Sequence, residues 1–218
     1  MTEFLVAFVV FLLAHVLPTR PPMRGRLVAR LGERGFQVVY SAVSLGLLAW
    51  LIVAAVDAPY VELWAPALWH MHLAIALMPV AFVLMAVGVA VPNPLSISLV
   101  AEPEGWSRSG LLRVVRHPLL VGLALWGGLH TLANGALVPV LLFGGLALFA
   151  LAGIPLVERR RRREHGAERD AELAGRTTGY RDTGRQALAG AVGLVAMTLL
   201  LVYHLQLFGA DPLAWLGV

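Results

Sequence analysis

Two of the seven histidines lie inside strongly apolar stretches, where an ionisable side chain is costly and therefore suggests a function. His15 follows the run FVVFLLA, and His130 lies near the end of VGLALWGGLHTLANG. A neutral imidazole can bind a metal ion through one ring nitrogen. The alternative for each histidine is a hydrogen bond to a neighbouring helix, and for His15 the residue pattern favours neither role.

Trp126 and Gly127 precede His130 by four and three residues, so a helix places all three on one face. An aromatic ring and a missing side chain beside a histidine would leave a slot for a flat ligand. The alternative is that Gly127 and Gly128 let two helices approach closely, as small residues do in membrane proteins. The spacing alone slightly favours close helix packing over a ligand slot.

A second group with possible binding chemistry is Arg113, Arg116 and His117, directly before Pro118. Proline suits the first turn of a helix, so the group is predicted at a helix N-terminus. Free N–H groups and arginines at such a place attract an anionic headgroup or cofactor. A simple cap at the membrane interface is nearly as well supported.

The elements that must position these residues are membrane helices. Of the 218 residues 59% are hydrophobic and only 14% are charged, whereas about a quarter of a soluble domain is charged. Apolar segments lie at 4–18, 36–56, 70–91, 118–133, 136–157 and 187–208. Most reach the roughly 17–25 residues that a membrane-spanning helix needs. The predicted fold class is all-α, a single membrane domain over residues 1–218 formed as a polytopic bundle of about six transmembrane helices.

The arginines predict the orientation of this bundle. All 17 basic residues are arginines, and they fall in three connecting regions at 19–35, 108–116 and 159–185. Basic loops stay in the cytoplasm, so both termini are predicted outside it, with a basic cytoplasmic segment at 158–186 between helices five and six. The expected location is the inner (cytoplasmic) membrane, as a multi-pass protein. Anionic lipid headgroups, and not nucleic acid, are the expected partner of the basic segment.

Cysteine is absent from the chain. This excludes disulfides, iron–sulfur clusters, thiolate-ligated haem and covalently attached c-type haem. Any metal centre must be held mainly by histidine, tyrosine, methionine or carboxylate side chains.

Four stretches carry a resemblance to a known family: LLAHV, LGERGFQVVYSAVSLGLLAW, RVVRHPLLVGLALWGGLHTLANG and LLFGG. They resemble the NnrU family of bacterial membrane proteins and its plant relative, the zeta-carotene isomerase. NnrU proteins are associated with nitrite and nitric oxide reduction (denitrification). The plant isomerase is a haem b protein that changes a cis double bond of a carotenoid, and by motif its haem-ligating histidines fall on His15 and His130.

The resemblance therefore implies a haem b protein whose iron is held by His130 and His15, with Trp126 and Gly127 beside the cofactor. A nitrogen oxide or a lipophilic small molecule is the expected partner. Whether the protein is an enzyme stays open; if it is one, a haem-dependent cis–trans isomerase of a carotenoid-like polyene is implied. A metal-free assembly factor for a respiratory complex is a further alternative.

Two departures from these relatives bear on function. The isomerase has a cysteine, proposed as an alternative iron ligand, where this chain has Gly127. The RHP motif with Gly122 is also similar to the isoprenylcysteine carboxyl methyltransferase superfamily, which usually has tyrosine where this chain has Leu120. Both an isomerase and a methyltransferase function are weakened by these differences.

The depth of the two histidines conflicts with a shared iron under the predicted topology. His15 is expected near the cytoplasmic end of its helix, while His130 lies about 18 Å along its helix from Pro118, at about 1.5 Å per residue. Two axial ligands need similar depth. The second ligand is therefore His15 or one of three alternatives, which are His70, His72 and His204.

Overall fold

The computed structural model describes residues 1–101, 103–176, 179 and 181–216. Over these residues the chain is all-helical, as the apolar segments predict, and the pairing of Glu62 with Ala136 is an isolated bridge. The chain forms two compact units, which are described one at a time. The first comprises residues 1–63 and 136–138, and the second comprises residues 64–135 and 139–218.

The helices, in chain order, are α1 (Thr2–Val16), α2 (Met23–Val56), α3 (Leu68–Ala90), α4 (Leu111–Val114), α5 (Pro118–Asn134), α6 (Leu137–Pro139), α7 (Gly145–His165), α8 (Ala167–Gly175), α9 (Thr183–Val202) and α10 (His204–Phe208). A π turn at Val140–Gly144 joins α6 to α7. Single 3₁₀ turns occur at Leu17–Thr19 and Leu213–Leu216.

In the first unit α1 packs against α2. The hydroxyl of Tyr40 donates to the backbone oxygen of His15 at 3.3 Å. Helix α2 begins at Met23 and not at residue 36, because the arginine-rich stretch before the apolar run is helical too. Gly32, with a φ of 71°, interrupts the helix between the two parts. The apolar segment predicted at 36–56 lies within the second part, after Gly32.

In the part of the chain that the structure describes, five helices are long and apolar enough to cross a membrane; they lie within 2–19, 23–56, 68–90, 137–164 and 183–202. The predicted segment at 118–133 forms α5, whose 17 residues stand at the lower limit for a membrane span. The last predicted segment is interrupted at Tyr203, between α9 and α10. The protein is therefore a helical membrane protein with five candidate spans and one shorter apolar helix.

Glycines bring α3 into close contact with α5 and α9 in the second unit. A Cβ atom placed on Gly88 would lie 2.7 Å from the Cα of Leu119 in α5. One placed on Gly193 of α9 would lie 2.7 Å from the backbone oxygen of Phe82 in α3. Side chains larger than hydrogen do not fit at these two positions, so the helix contacts here depend on glycine.

The segment between α3 and α5 is folded against the second unit. Trp106 is 1% exposed, and its indole N–H donates to the backbone oxygen of Pro92 at 3.0 Å. Arg108 donates to three backbone oxygens, those of Leu112, Arg113 and Ala174, and so links the segment to α8. These contacts hold the residues just before α5 in fixed positions.

Candidate functional site

His130 lies near the C-terminal end of α5 and is partly buried. Its Nδ1 atom is 2.9 Å from the backbone oxygen of Trp126. A carbonyl oxygen can only accept a hydrogen bond, so in the neutral ring Nδ1 carries the proton and Nε2 carries the lone pair. Within the described part of the chain Nε2 has no hydrogen-bond partner. Metal-binding histidines typically have this arrangement, because the bonded N–H fixes the ring and its tautomer.

Two aromatic rings flank His130. The centroid of the Trp126 ring is 4.6 Å from that of His130, and the ring of Phe143 stacks on His130 at 4.6 Å and 29°. Phe143 lies in the π turn, an irregularity that often occurs at functional sites. Sequence reasoning did not identify Phe143, although the LLFGG stretch that contains it carries part of the family resemblance.

The two glycines before His130 have different surroundings. A Cβ on Gly127 would lie 2.7 Å from the backbone oxygen of Phe143 and 3.1 Å from the Cβ of Ala147. The space beside Gly127 is thus filled by the next helix. Gly127 therefore lets two helices approach closely and does not leave a slot for a flat ligand. Gly128 is exposed and has no heavy atom within 4 Å of its Cβ position. The structure therefore places the open side of α5 at Gly128.

In the first unit His15 has the same ring geometry as His130. Its Nδ1 is 2.8 Å from the backbone oxygen of Phe11, one turn earlier in α1. The Phe11 ring lies 4.2 Å from the imidazole, and the Tyr40 ring lies 5.9 Å away, edge-on. The tautomer again leaves the lone pair on Nε2, so His15 is a chemically competent iron ligand.

The other candidate ligands differ in their protonation. His204 has its Nδ1 2.8 Å from the backbone oxygen of Ala210, so its tautomer is that of His130. His70 has the opposite tautomer, because its Nδ1 accepts from the backbone N–H of Ala67. Its Nε2 then carries the proton and cannot bind iron. His72 is exposed. Of these three, His204 is the alternative ligand that the geometry favours.

His117 lies in a polar centre before α5 and is 5% exposed. Its Nε2 is 3.3 Å from the Glu158 carboxylate, and its Nδ1 is 2.9 Å from the Ser96 hydroxyl. Burial lowers the pKa of His117 below its usual 6.5, while the hydrogen bond to Glu158 opposes the shift. Since the neutral ring donates its Nε2 proton to the carboxylate, its Nδ1 accepts from Ser96. Both nitrogens are engaged, so His117 is not free to bind a metal.

Two members of the predicted anion-binding group, Arg116 and His117, thus lie against a carboxylate of the chain itself, that of Glu158. The guanidinium Nε of Arg116 is 3.7 Å from the Glu158 carboxylate, and its backbone oxygen accepts from the amide of Asn93 at 3.0 Å. Arg113 is exposed. Sequence reasoning did not identify Glu158. The pattern that could have indicated it is a single acidic residue between an apolar helix and a run of arginines. An external anion at Arg113, Arg116 and His117 remains a prediction.

The donor set suits a haem better than a metal held by protein ligands alone. Among the described residues no group of three or more His, Asp or Glu side chains could hold a metal ion. A metal at His130 must therefore bring further ligands of its own. A porphyrin supplies the equatorial ligands itself and requires only one or two axial side chains.

No curated protein and no solved structure shows significant similarity to this chain. One family model does, and it carries the description NnrU protein. It matches residues 3–212, which include helices α1 to α10 except the first residue of α1. His15, His117 and His130 all lie within the match. The chain therefore belongs to the NnrU family.

Proposed function

We propose that this protein is an integral membrane protein that binds haem b and acts in nitrite or nitric oxide metabolism. The observation that carries the proposal is the ring of His130, whose Nδ1 proton is donated to the Trp126 carbonyl while Nε2 is left with a lone pair. Membership of the NnrU family and the family's association with denitrification support the proposed role in nitrite or nitric oxide metabolism.

His130 is proposed as one axial ligand and His15 as the second. Support for His15 comes from its tautomer, which is fixed by the backbone oxygen of Phe11 in the way that Trp126 fixes His130. His204 is the alternative second ligand, since it shares this tautomer.

The surroundings of His130 would influence any iron bound there. The rings of Trp126 and Phe143 keep the imidazole in apolar surroundings, and the bond to the Trp126 oxygen fixes its plane. A bound haem would supply a redox-active iron. Held by two histidines it would be suited to electron transfer, whereas held by His130 alone it would keep a position open for a small nitrogen oxide. The polarity around the axial ligand and the hydrogen bond behind it are the two means by which this chain would tune that iron.

If the protein is an enzyme, the alternative is a haem-dependent cis–trans isomerase of a carotenoid-like polyene. We favour the nitrogen-oxide role, because glycine stands at 127 where the plant isomerase has a cysteine that could bind iron. A methyltransferase-like function would require S-adenosylmethionine to bind near His117. A metal-free assembly factor would carry no haem at all.

The visible spectrum of the detergent-purified protein supplied with haem tests the proposal. A Soret band that persists through size-exclusion chromatography is the expected result. A protein that stays colourless after haem supply would overturn the cofactor and leave the assembly factor as the preferred function.

We further propose that α5 completes a set of six membrane helices with both termini outside the cytoplasm of an inner-membrane protein. Reporter fusions test this arrangement. Alkaline phosphatase fused to either terminus is expected to be active, since that enzyme requires the oxidising periplasm, and a fluorescent protein inserted after Gly166 is expected to fluoresce inside the cell. An inactive phosphatase at one terminus and an active one at the other would indicate an odd number of spans.

Replacing His117 by glutamine is expected to change the acid sensitivity of the protein without changing its haem. Because the folded-state pKa of His117 is lowered, its neutral form favours folding above about pH 6.5, and this stability is lost as the pH falls through the lowered pKa. Between pH 7 and pH 5 the wild type should lose more thermal stability than the variant. The Soret band at pH 7 should be the same in both; its loss in the variant would make His117 an iron ligand.

A further inference from the structure

A cavity of about 250 Å³ opens at the arginine-rich end of the second unit. It lies between the segment that follows α3 and the pair α7 and α8, next to the polar centre of His117. Its polar lining comes from Asn93, Ser96, Ser98, Arg161 and Arg169. The volume falls below the roughly 300–1,000 Å³ of drug-sized ligand sites, so it suits a small polar group.

One wall of the cavity is cationic. Arg161 of α7 is partly buried at the cavity, whereas the other four arginines of the run 159–163 are exposed. Arg169 of α8 joins it from the next helix. Both arginines make contacts within the protein, but each guanidinium has five N–H donors and can hold a ligand at the same time. The wall therefore favours an anionic group with several acceptor oxygens.

The lining from the segment after α3 offers hydrogen-bond acceptors. The Ser96 proton is directed to Nδ1 of His117, because Glu158 takes the other imidazole proton. The Ser98 hydroxyl donates to the backbone oxygen of Val91 at 2.8 Å. Each serine has only one proton to donate, and Ser98 Oγ already accepts from the backbone N–H of Val100 at 3.2 Å. The lone pairs that remain on the two hydroxyl oxygens can accept hydrogen bonds from a ligand in the cavity. A bare phosphate offers no proton donors to these serine oxygens, whereas a ligand that also carries hydroxyl groups does.

Apolar side chains at the same segment point to the source of the ligand. Ile97 and Leu99, which alternate with the two serines, are 40% and 81% exposed. Exposed apolar residues beside a cationic cavity on a membrane protein are suited to the boundary between headgroups and acyl chains. A lipid would place its headgroup in the cavity and its chains against these residues.

We propose that this cavity binds the glycerol phosphate headgroup of an anionic phospholipid, with the phosphate at Arg161 and Arg169 and the glycerol hydroxyls at Ser96 and Ser98. The lipid site does not depend on haem. It also differs from the group formed by Arg113, Arg116 and His117, whose nearest anion is Glu158.

Native mass spectrometry of the full chain in a neutral detergent tests the site, with short-chain phosphatidylglycerol, phosphatidic acid and phosphatidylcholine as probes. Phosphatidylglycerol is expected to bind most tightly. Changing Arg161 and Arg169 together to glutamine should weaken that binding about tenfold, since charge-assisted hydrogen bonds to the phosphate are lost. The matched control changes Arg160 and Arg163, which are not among the residues lining the cavity, to glutamine and should alter binding less than about twofold. Equal losses in both double variants would overturn the site in favour of diffuse attraction.

The serine wall has its own test. Ser96→Ala should reduce the preference for phosphatidylglycerol over phosphatidic acid, while Ser96→Thr, which keeps the hydroxyl, should retain it. An unchanged preference in Ser96→Ala would overturn the role of the glycerol. If free glycerol phosphate displaces the lipid at equal concentration, the ligand is a soluble metabolite and the lipid assignment is overturned. Circular dichroism of every variant checks folding, and Arg169→Gln alone provides a milder change if the double variant is unstable.

Discussion

Replacing His130 by alanine is expected to abolish the Soret absorbance of protein supplied with haem. The variant removes the Nε2 lone pair that would hold the iron, while Trp126 and Phe143 remain in place. The matched control is His72→Ala, which removes an exposed imidazole from α3 of the same unit and should keep the band.

Rescue separates a lost ligand from a damaged fold. In His130→Gly, imidazole added to the buffer should restore the band, because a free imidazole can occupy the vacated position. An undiminished band in His130→Ala would remove His130 from the ligand set. A Soret band lost in both His130→Ala and His72→Ala would instead indicate that His72 also takes part in binding the haem. The same spectra of His15→Ala and His204→Ala would identify the second ligand, whose loss should shift the band if His130 alone retains the haem.

Replacing Gly88 by alanine is expected to lower the stability of the protein strongly, although it adds only one methyl group. The new Cβ would overlap the backbone of Leu119 in α5, and a backbone cannot move aside as a flexible side chain can. Overpacking of this kind costs about 3 kcal/mol. Thermal unfolding in detergent, followed by circular dichroism, should show a clearly lower Tm or no folded protein.

The control for Gly88 is the same substitution at a glycine in open space. Gly184 of α9 has no heavy atom within 4 Å of its Cβ position. Gly184→Ala should leave the free energy of unfolding within about 1 kcal/mol of the wild type, since alanine also has the higher helix propensity. Similar Tm values for the two variants would contradict the close packing of α3 and α5.

The sequence allowed the all-helical class and most of the apolar helices to be predicted, because both depend on composition and run length. It did not predict the arginine-rich helical part that begins at Met23 and precedes Gly32, since such a stretch lacks apolar content. It also did not predict the break at Tyr203 within the last segment. That break depends on local backbone conformation, which a hydropathy average over about 19 residues does not detect.

The candidate site was predictable where residues act within one helix. His130 and Trp126 are four residues apart, so helical geometry alone places them together. Spacing could not show which of Gly127 and Gly128 meets a neighbouring helix, because that depends on the rotation of α5. The contacts of Phe143 and Glu158 join different helices, so they depend on tertiary packing that no local pattern contains.

The π turn at Val140–Gly144 gives the helix beside His130 a tolerance for a change of one residue in length. A π turn contains one residue more than an α-helical turn but closes about the same rotation, so deleting one residue there would leave an α-helical turn whose flanking stretches keep nearly the same orientation. After a deletion before Phe143, the Phe143 ring could still face His130 while Ala147 stays against Gly127. Evolution can therefore add or remove a single codon at this turn without turning the apolar helix that follows it.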